Sequence, residues 1–241
     1  MSNTITNSEQ ESFENDNRGT RASDEGQNHS VPKRRGSKYT DILLQRLQGT
    51  LLAERNSVVI GMLGHAPRQG VTTMAANLAI RAADHFYKPA LIIDGNSRNR
   101  KISKMYRCGG QGFGECLNGQ ASLDSCVKPT KIPQCFVLGA GDRKLTNQIM
   151  FAPEIAGEFF KVVRNDFRFS VLDLPALNEP SFVDSILSFL DGVVLVARYG
   201  ARKEDMEATQ QLLNKSGVDL VAVVMTGNDD KLPRWVPRCF G

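Results

Sequence analysis

No window of this chain approaches the run of about 20 apolar residues that a helical membrane span requires. The polar stretch from Met1 to Ser30 also lacks the apolar segment of a secretory signal, so a cytoplasmic protein is expected. Close cysteine pairs are missing. Cys108, Cys116, Cys126, Cys135 and Cys239 are widely spaced and odd in number, which argues against a zinc site and reads as free thiols in a reducing compartment. Histidine is scarce: His29 lies in the N-terminal stretch, His85 at a helix end, and only His65 falls in a loop of interest. No metal centre built on these side chains is expected. Strong charge of one sign is absent as well. A formal net charge of +4 is mild, and nucleic acid is not an expected partner.

What is present suffices for one medium domain. The chain has 241 residues and a hydrophobic share of 41%, enough for one sizeable core. Residues 1–36 are rich in Ser, Asn, Glu, Asp, Gly and Gln and hold a single aromatic, Phe13. Such a stretch buries too little apolar surface to offset the entropy of ordering it, so a disordered tail is expected there. It ends in the basic cluster Lys33, Arg34, Arg35 and Lys38, which reads either as a solvated hinge or as a contact for an anionic surface. The domain is expected over 37–230, followed by a short C-terminal tail over 231–241.

Within 37–230 the period of the apolar residues switches repeatedly. Ile42, Leu43, Leu44, Leu47, Leu51 and Leu52 recur at helical spacing between Tyr39 and Glu54. Val58–Leu63 is then a continuous apolar run, as in a strand buried on both faces of a parallel sheet. Short runs of the same kind begin at Ala90, Phe136, Phe169, Val193 and Leu220. Helical patterns separate them at Thr73–His85, Pro153–Asn165, Ser181–Phe189 and Lys203–Lys215. Alternation of this kind predicts a doubly wound, mostly parallel α/β sheet of the P-loop NTPase type, with ligands at the carboxyl ends of the strands.

The first strand runs into Gly64-His65-Ala66-Pro67-Arg68-Gln69-Gly70-Val71-Thr72-Thr73 and then a helix. Backbone N–H groups at such a helix start favour anions, and the Thr72 hydroxyl suits Mg²⁺. The candidate nucleotide-binding residues are Arg68, Gly70, Val71, Thr72, Thr73 and Arg98. A P-loop places lysine just after its second glycine, where it reaches the β- and γ-phosphates; this chain has Val71. Two aspartates end later strands, Asp94 and Asp173. With Thr72 they are the candidate Mg²⁺ ligands, and they are also the candidate catalytic carboxylates. Capping of the turns that follow is the plainer reading of both, and the pattern alone leaves the two open.

The segment from Gly64 to Arg100 resembles the nucleotide-binding core of bacterial tyrosine kinases of capsular and exopolysaccharide synthesis. These belong to the deviant Walker group, together with division-site and chromosome-partitioning ATPases. The family reads roughly APGxGKSTxAANLA and LLIDxDxR, where this chain has APRQGVTTMAANLA and LIIDGNSR. Gly112–Gly119 is similar to the family's GLxxxLxG, Val127–Gly141 to its segment ending in LPAG, and Asp191–Val196 to its DGVVLV. The likeness runs from about Tyr39 to Asn228.

The departures fall on the chemistry. The family's loop lysine is Val71, its first loop glycine is Arg68, and the second aspartate of its second motif is Asn96. The oligomerisation motif falls on Ile42, Gln45 and Gln48, and residues 231–241 hold no tyrosine to serve as phosphorylation sites. The resemblance implies ATP or ADP with Mg²⁺ as ligand. It also implies a membrane polysaccharide chain-length or export protein, or a related kinase, as partner, along with a homo-oligomer and recruitment to the inner membrane face. The departures turn the expectation from an active kinase toward an impaired relative that regulates or adapts. An active kinase or ATPase with a rearranged loop, and a partitioning-type ATPase, are the alternatives. Deleting residues 1–36 is expected to leave the melting temperature unchanged, because they add almost nothing apolar to the core. A fall of several degrees in a thermal melt of the truncated chain would show that the stretch packs.

Overall fold

The computed structural model describes residues 38–142, 152–179 and 182–227. The expected tails over 1–36 and 231–241, together with Asn228 and Cys239, lie outside the described residues. The elements run α1 (Lys38–Thr50), β1 (Val58–Leu63), α2 (Val71–Phe86), β2 (Ala90–Asp94), α3 (Lys101–Met105), α4 (Phe113–Leu117), α5 (Leu123–Cys126), β3 (Val127–Pro129) and β4 (Cys135–Leu138). Then follow α6 (Pro153–Asp166), β5 (Phe169–Asp173), α7 (Val183–Ile186), a 3-10 turn (Leu187–Phe189), β6 (Gly192–Arg198), α8 (Lys203–Ser216) and β7 (Leu220–Thr226). Among the described residues no helix is long and apolar enough to cross a membrane.

The seven strands form one sheet in the order β3-β4-β2-β5-β1-β6-β7. Every pairing is parallel except the edge pair β3–β4. The two-residue period of each strand sorts its side chains to two faces. Val58, Ile60 and Met62 of β1 join α1 and α2 in one core, where Leu43, Leu44, Leu47, Leu78 and Ala79 are buried. Val59 and Leu63 enter the core on the opposite face, with Phe113, Phe159, Phe160, Val183 and Leu213. Aromatic rings fill that second layer: Phe160 stacks on Phe189 at 5.7 Å between centroids and meets Phe159 edge-on at 5.0 Å.

The apolar runs therefore fall on strands; those of β1, β2, β5 and β6 are buried on both faces as expected, whereas β7, at the sheet edge, is mostly half-buried. The long helices start or end within two residues of expectation, except α1, which gives way to a turn after Thr50. The helical pattern at Ser181–Phe189 resolves into four α residues and a 3-10 turn, with 180–181 outside the described residues. The turn is fixed by Asp191, which follows it. Its Oδ2 accepts the Val59 N–H at 2.7 Å, and its own N–H donates to the Val59 carbonyl at 2.9 Å. Arg164 of α6 approaches the same oxygen at 3.2 Å. One carboxylate thus ties β1, the start of β6 and α6 together. Asp191→Ala leaves the fully buried Val59 without an acceptor for its N–H and Arg164 without its charge partner. A loss of about 2–3 kcal/mol is expected, read as a fall of roughly 5–10 °C in melting temperature. Asp191→Asn, which keeps an acceptor, should lose less.

Candidate functional site

Because β5 lies between β1 and β2, the carboxyl ends of these three strands stand side by side. Asp173 of β5 is the register partner of Met62 on β1 and of Asp94 on β2. The loop after β1 therefore hangs over two neighbouring aspartates. Neither the loop nor the aspartates would meet without this strand order.

The loop is held tightly. Gly64 sits where a Cβ would meet Gln69 Oε1 at 2.7 Å and Val71 Cγ2 at 2.9 Å, so only glycine lets the loop fold back this closely. Gly70 starts α2 at φ 95°, a left-handed conformation that side chains resist. The Gln69 side chain is buried in the loop and its Oε1 accepts the Ala66 N–H at 3.3 Å. Thr226, at the end of β7, donates its hydroxyl to the Gln69 carbonyl at 2.7 Å. From the other side, the Leu177 and Asn178 N–H groups donate to the Gly64 and His65 carbonyls, each at 3.0 Å. Arg68 takes φ 64° on the exposed rim, at the position where the resemblance places glycine. Holding a non-glycine residue there costs about 1–2 kcal/mol.

Arg68, Gly70, Val71, Thr72 and Thr73 line one cleft. Val71 is half-buried and packs its methyls against the α1–α2 core and Gly64. It brings no charge to the cleft. Arg98 is exposed on the loop after β2 and is not among the cleft-lining residues. Asn96, Asn99, Lys101 and Glu179 do line it, although the sequence pattern does not mark them as ligands. Only Asn96 carries a signal, as the replacement of the family's second aspartate. The other three belong to no motif, and their approach depends on how the loops after β2 and β5 fold.

The two carboxylates differ in their surroundings. Asp94 is fully buried and well bonded: Oδ2 accepts the Ser103 N–H at 2.7 Å and the Ser103 hydroxyl at 2.6 Å, and Oδ1 accepts the Asn96 N–H at 3.2 Å. Burial still raises its pKa above the ordinary range, against the pull of the Ser103 bonds. Asp173 is equally buried, yet neither of its oxygens meets a partner at hydrogen-bond geometry among the described residues. Burial pushes its carboxyl up to about 8, and nearby Asp94 adds to the rise; Thr72 and Lys101 favour the anion, Thr72 without completing a hydrogen bond. A buried carboxylate with no partner, beside a threonine hydroxyl and a second carboxylate, has the donor set that a hydrated Mg²⁺ takes. Thr72, Asp173 and Asp94 fit that ion, and the loop N–H groups fit phosphate. The loop lysine has no counterpart at position 71.

No protein-family model matches the chain. Among curated proteins it is 24% identical over 160 residues to the tyrosine-protein kinase CpsD of Streptococcus agalactiae, covering 65% of this chain and 69% of that protein. It is 28% identical over 155 residues to the succinoglycan biosynthesis transport protein ExoP of Rhizobium meliloti, covering 62% of this chain but 20% of that longer protein. Among solved structures, the kinase domain of the Escherichia coli tyrosine kinase ETK superposes with a TM-score of 0.65 at 17% identity, over 80% of this chain and 78% of that one. The septum site-determining protein MinD of Pyrococcus horikoshii, complexed with Mg-ADP, superposes with a TM-score of 0.61 at 18% identity, over 76% of each chain. The structural likenesses establish the fold, a P-loop NTPase-like α/β sheet. The sequence likenesses establish that the relatives are bacterial tyrosine kinases and polysaccharide transport proteins, so the resemblance carried by the loop and strand ends holds.

The protonation of Asp173 has a measurable consequence in the ligand-free protein. The folded state keeps a proton up to about pH 8, whereas the unfolded chain releases it near 3.8. The folded state therefore binds more protons between these values, and stability falls as pH rises through that window. Asp173→Asn removes the Asp173 share of this dependence and leaves that of Asp94, whose pKa burial also raises. At pH 7.5 the variant should be the more stable of the two, by at most about 5 kcal/mol, since each tenfold preference for the protonated form is worth about 1.4 kcal/mol. The gap should close toward pH 4. Thermal melts of both proteins across this range test it; a gap independent of pH contradicts it.

Proposed function

We propose that this chain is a tyrosine-kinase-like P-loop module that binds Mg²⁺ and ATP or ADP without transferring phosphate. In this reading it acts as a regulator or adaptor in exopolysaccharide or capsule biosynthesis or export. The observation that carries the proposal is Val71. At the position of the phosphate lysine stands an uncharged, half-buried side chain that packs against the α1–α2 core at the cleft wall. Phosphoryl transfer depends on placed charge more than on covalent help from the protein. Losing one preorganised donor costs about 10²–10³ in rate, roughly 3–4 kcal/mol, and losing a full charge costs at least as much.

Arg68 supports the same reading. A guanidinium at a strained, exposed rim position is a poor substitute for a lysine preorganised inside the loop. Asp94, fully engaged with Ser103 and Asn96, orders the loop after β2 rather than standing free as a base. The name of one relative, a succinoglycan biosynthesis transport protein, points to polysaccharide assembly. The proposed partner is accordingly a membrane chain-length or export protein, or a related kinase, which would bring the domain to the inner membrane face.

One observation favours an active ATPase or kinase instead: Asp173 and Thr72 keep the chemistry of a metal site. Turnover separates the two readings. The purified chain should bind Mg·ATP yet show negligible hydrolysis and no tyrosine autophosphorylation. Val71→Lys combined with Arg68→Gly returns the charge and the backbone freedom of the loop, and is expected to tighten Mg·ATP binding at least about tenfold. Turnover at an ordinary kinase rate in the unmodified chain, abolished by Asp94→Ala, would overturn the proposal.

A further inference from the structure

We propose that Lys101 supplies the positive charge for the terminal phosphate of the bound nucleotide that position 71 no longer carries. The inference rests on the nucleotide-binding reading of the cleft and assigns the residue that makes such binding work. Among the described residues two cations line the cleft, Arg68 and Lys101. Their placement differs. Arg68 sits on the loop's exposed rim, whereas Lys101 opens the helix whose Ser103 holds Asp94, on the side of the cleft nearest Asp173, whose anion it favours. Thr72 and Asp173 would hold the Mg²⁺ that neutralises phosphate charge when a nucleotide binds. A cation on the Asp173 side of the cleft is then placed to serve the terminal phosphate.

The backbone that carries Lys101 is anchored on both sides. Two residues later, the Ser103 N–H and hydroxyl bind Asp94 Oδ2 at 2.7 and 2.6 Å, and the Ser103 hydroxyl also accepts the Ala140 N–H at 2.9 Å. Ile102 is fully buried in the α1–α2 core. One residue earlier, the Arg100 N–H donates to the Asn96 carbonyl at 2.7 Å. Lys101 projects from this fixed start of α3 as an exposed, flexible ammonium and makes no ion pair with an acidic side chain among the described residues. A point charge on a long stem suits a phosphate whose position need not match a fixed fork.

Calorimetric titration of the full chain with Mg·ATP and Mg·ADP tests the assignment. Lys101→Met keeps the apolar stem and removes the charge. It should weaken Mg·ATP binding about 10- to 100-fold, the range of a charge-assisted contact, and leave Mg·ADP within about threefold. Lys101→Arg should retain most of the ATP affinity. Adding Val71→Lys to Lys101→Met should restore it. The proposal is overturned if Lys101→Met binds ATP like the unmodified chain, if ATP and ADP weaken equally, or if Arg68→Met causes the ATP-specific loss instead. An unmodified chain that binds neither nucleotide overturns the binding reading of the cleft and this assignment together. Lys101 is exposed, so the variants should melt like the parent. If Lys101→Met fails to fold, Lys101→Gln carries the same comparison.

Discussion

The interaction on which the site depends is the parallel register of β2 against β5, which sets Asp94 beside Asp173 in a buried layer. Two carboxylates cannot both ionise cheaply at such a place. The structure answers by treating them differently. Asp94 receives three donors and becomes the pin that orders the loop after β2. Asp173 receives none and is held toward its neutral form. An unpartnered buried carboxyl is a cost that folding alone does not explain. It makes sense as a site whose partner is a cation arriving with a ligand, and that cation would also relieve the repulsion between the two acids.

The frame of this arrangement is legible in the sequence. Continuous apolar runs are what strands buried on two faces require, and the runs at Val58, Ala90, Phe169 and Val193 fall on such strands. The strand order is another matter. That Asp94 and Asp173 are neighbours follows from β5 inserting between β1 and β2, which no local pattern encodes. The short helices α3, α4 and α5 span four or five residues, too few to express a period. Strand β3 has three residues, one of them Pro129, on an edge. Lys101 is hidden in the sequence for the same reason: its meaning comes from the fold of a loop rather than from a motif.

Two stretches that the sequence presents only as separate resemblances form one joint. The Phe113 and Gly114 N–H groups donate to the Gly139 and Ala140 carbonyls at 2.8 and 3.1 Å. The buried Glu115 closes the joint, with Oε2 accepting the Gly112 N–H at 2.8 Å and Oε1 the Asp142 N–H at 2.9 Å. Through Ala140 the joint reaches the Ser103 hydroxyl and hence Asp94. The segments similar to GLxxxLxG and LPAG thus help to position the second strand's aspartate. Their role is to support the site from outside the cleft.

The charges around the cleft are layered. Asp94 and Asp173 are buried at the strand ends behind the cleft lining, whereas the exposed Arg68 and Lys101 line the cleft itself. A lone anion entering from above would meet the two cations first but would then approach carboxylates below. A lone metal ion would find the carboxylates but pass the cations to reach them. The ligand that satisfies both layers carries its own negative charge outward and a divalent cation inward, which is the form of a Mg²⁺-bound di- or triphosphate. In an ordinary P-loop the loop lysine reinforces the upper layer from within. Here Val71 gives that space to the apolar core, so the upper layer is built from its edges. Edge charges can hold a phosphate, yet they are less able to follow charge as it develops during transfer, because preorganisation inside the loop is what the reaction uses. In the proposed reading the same geometry favours binding over turnover.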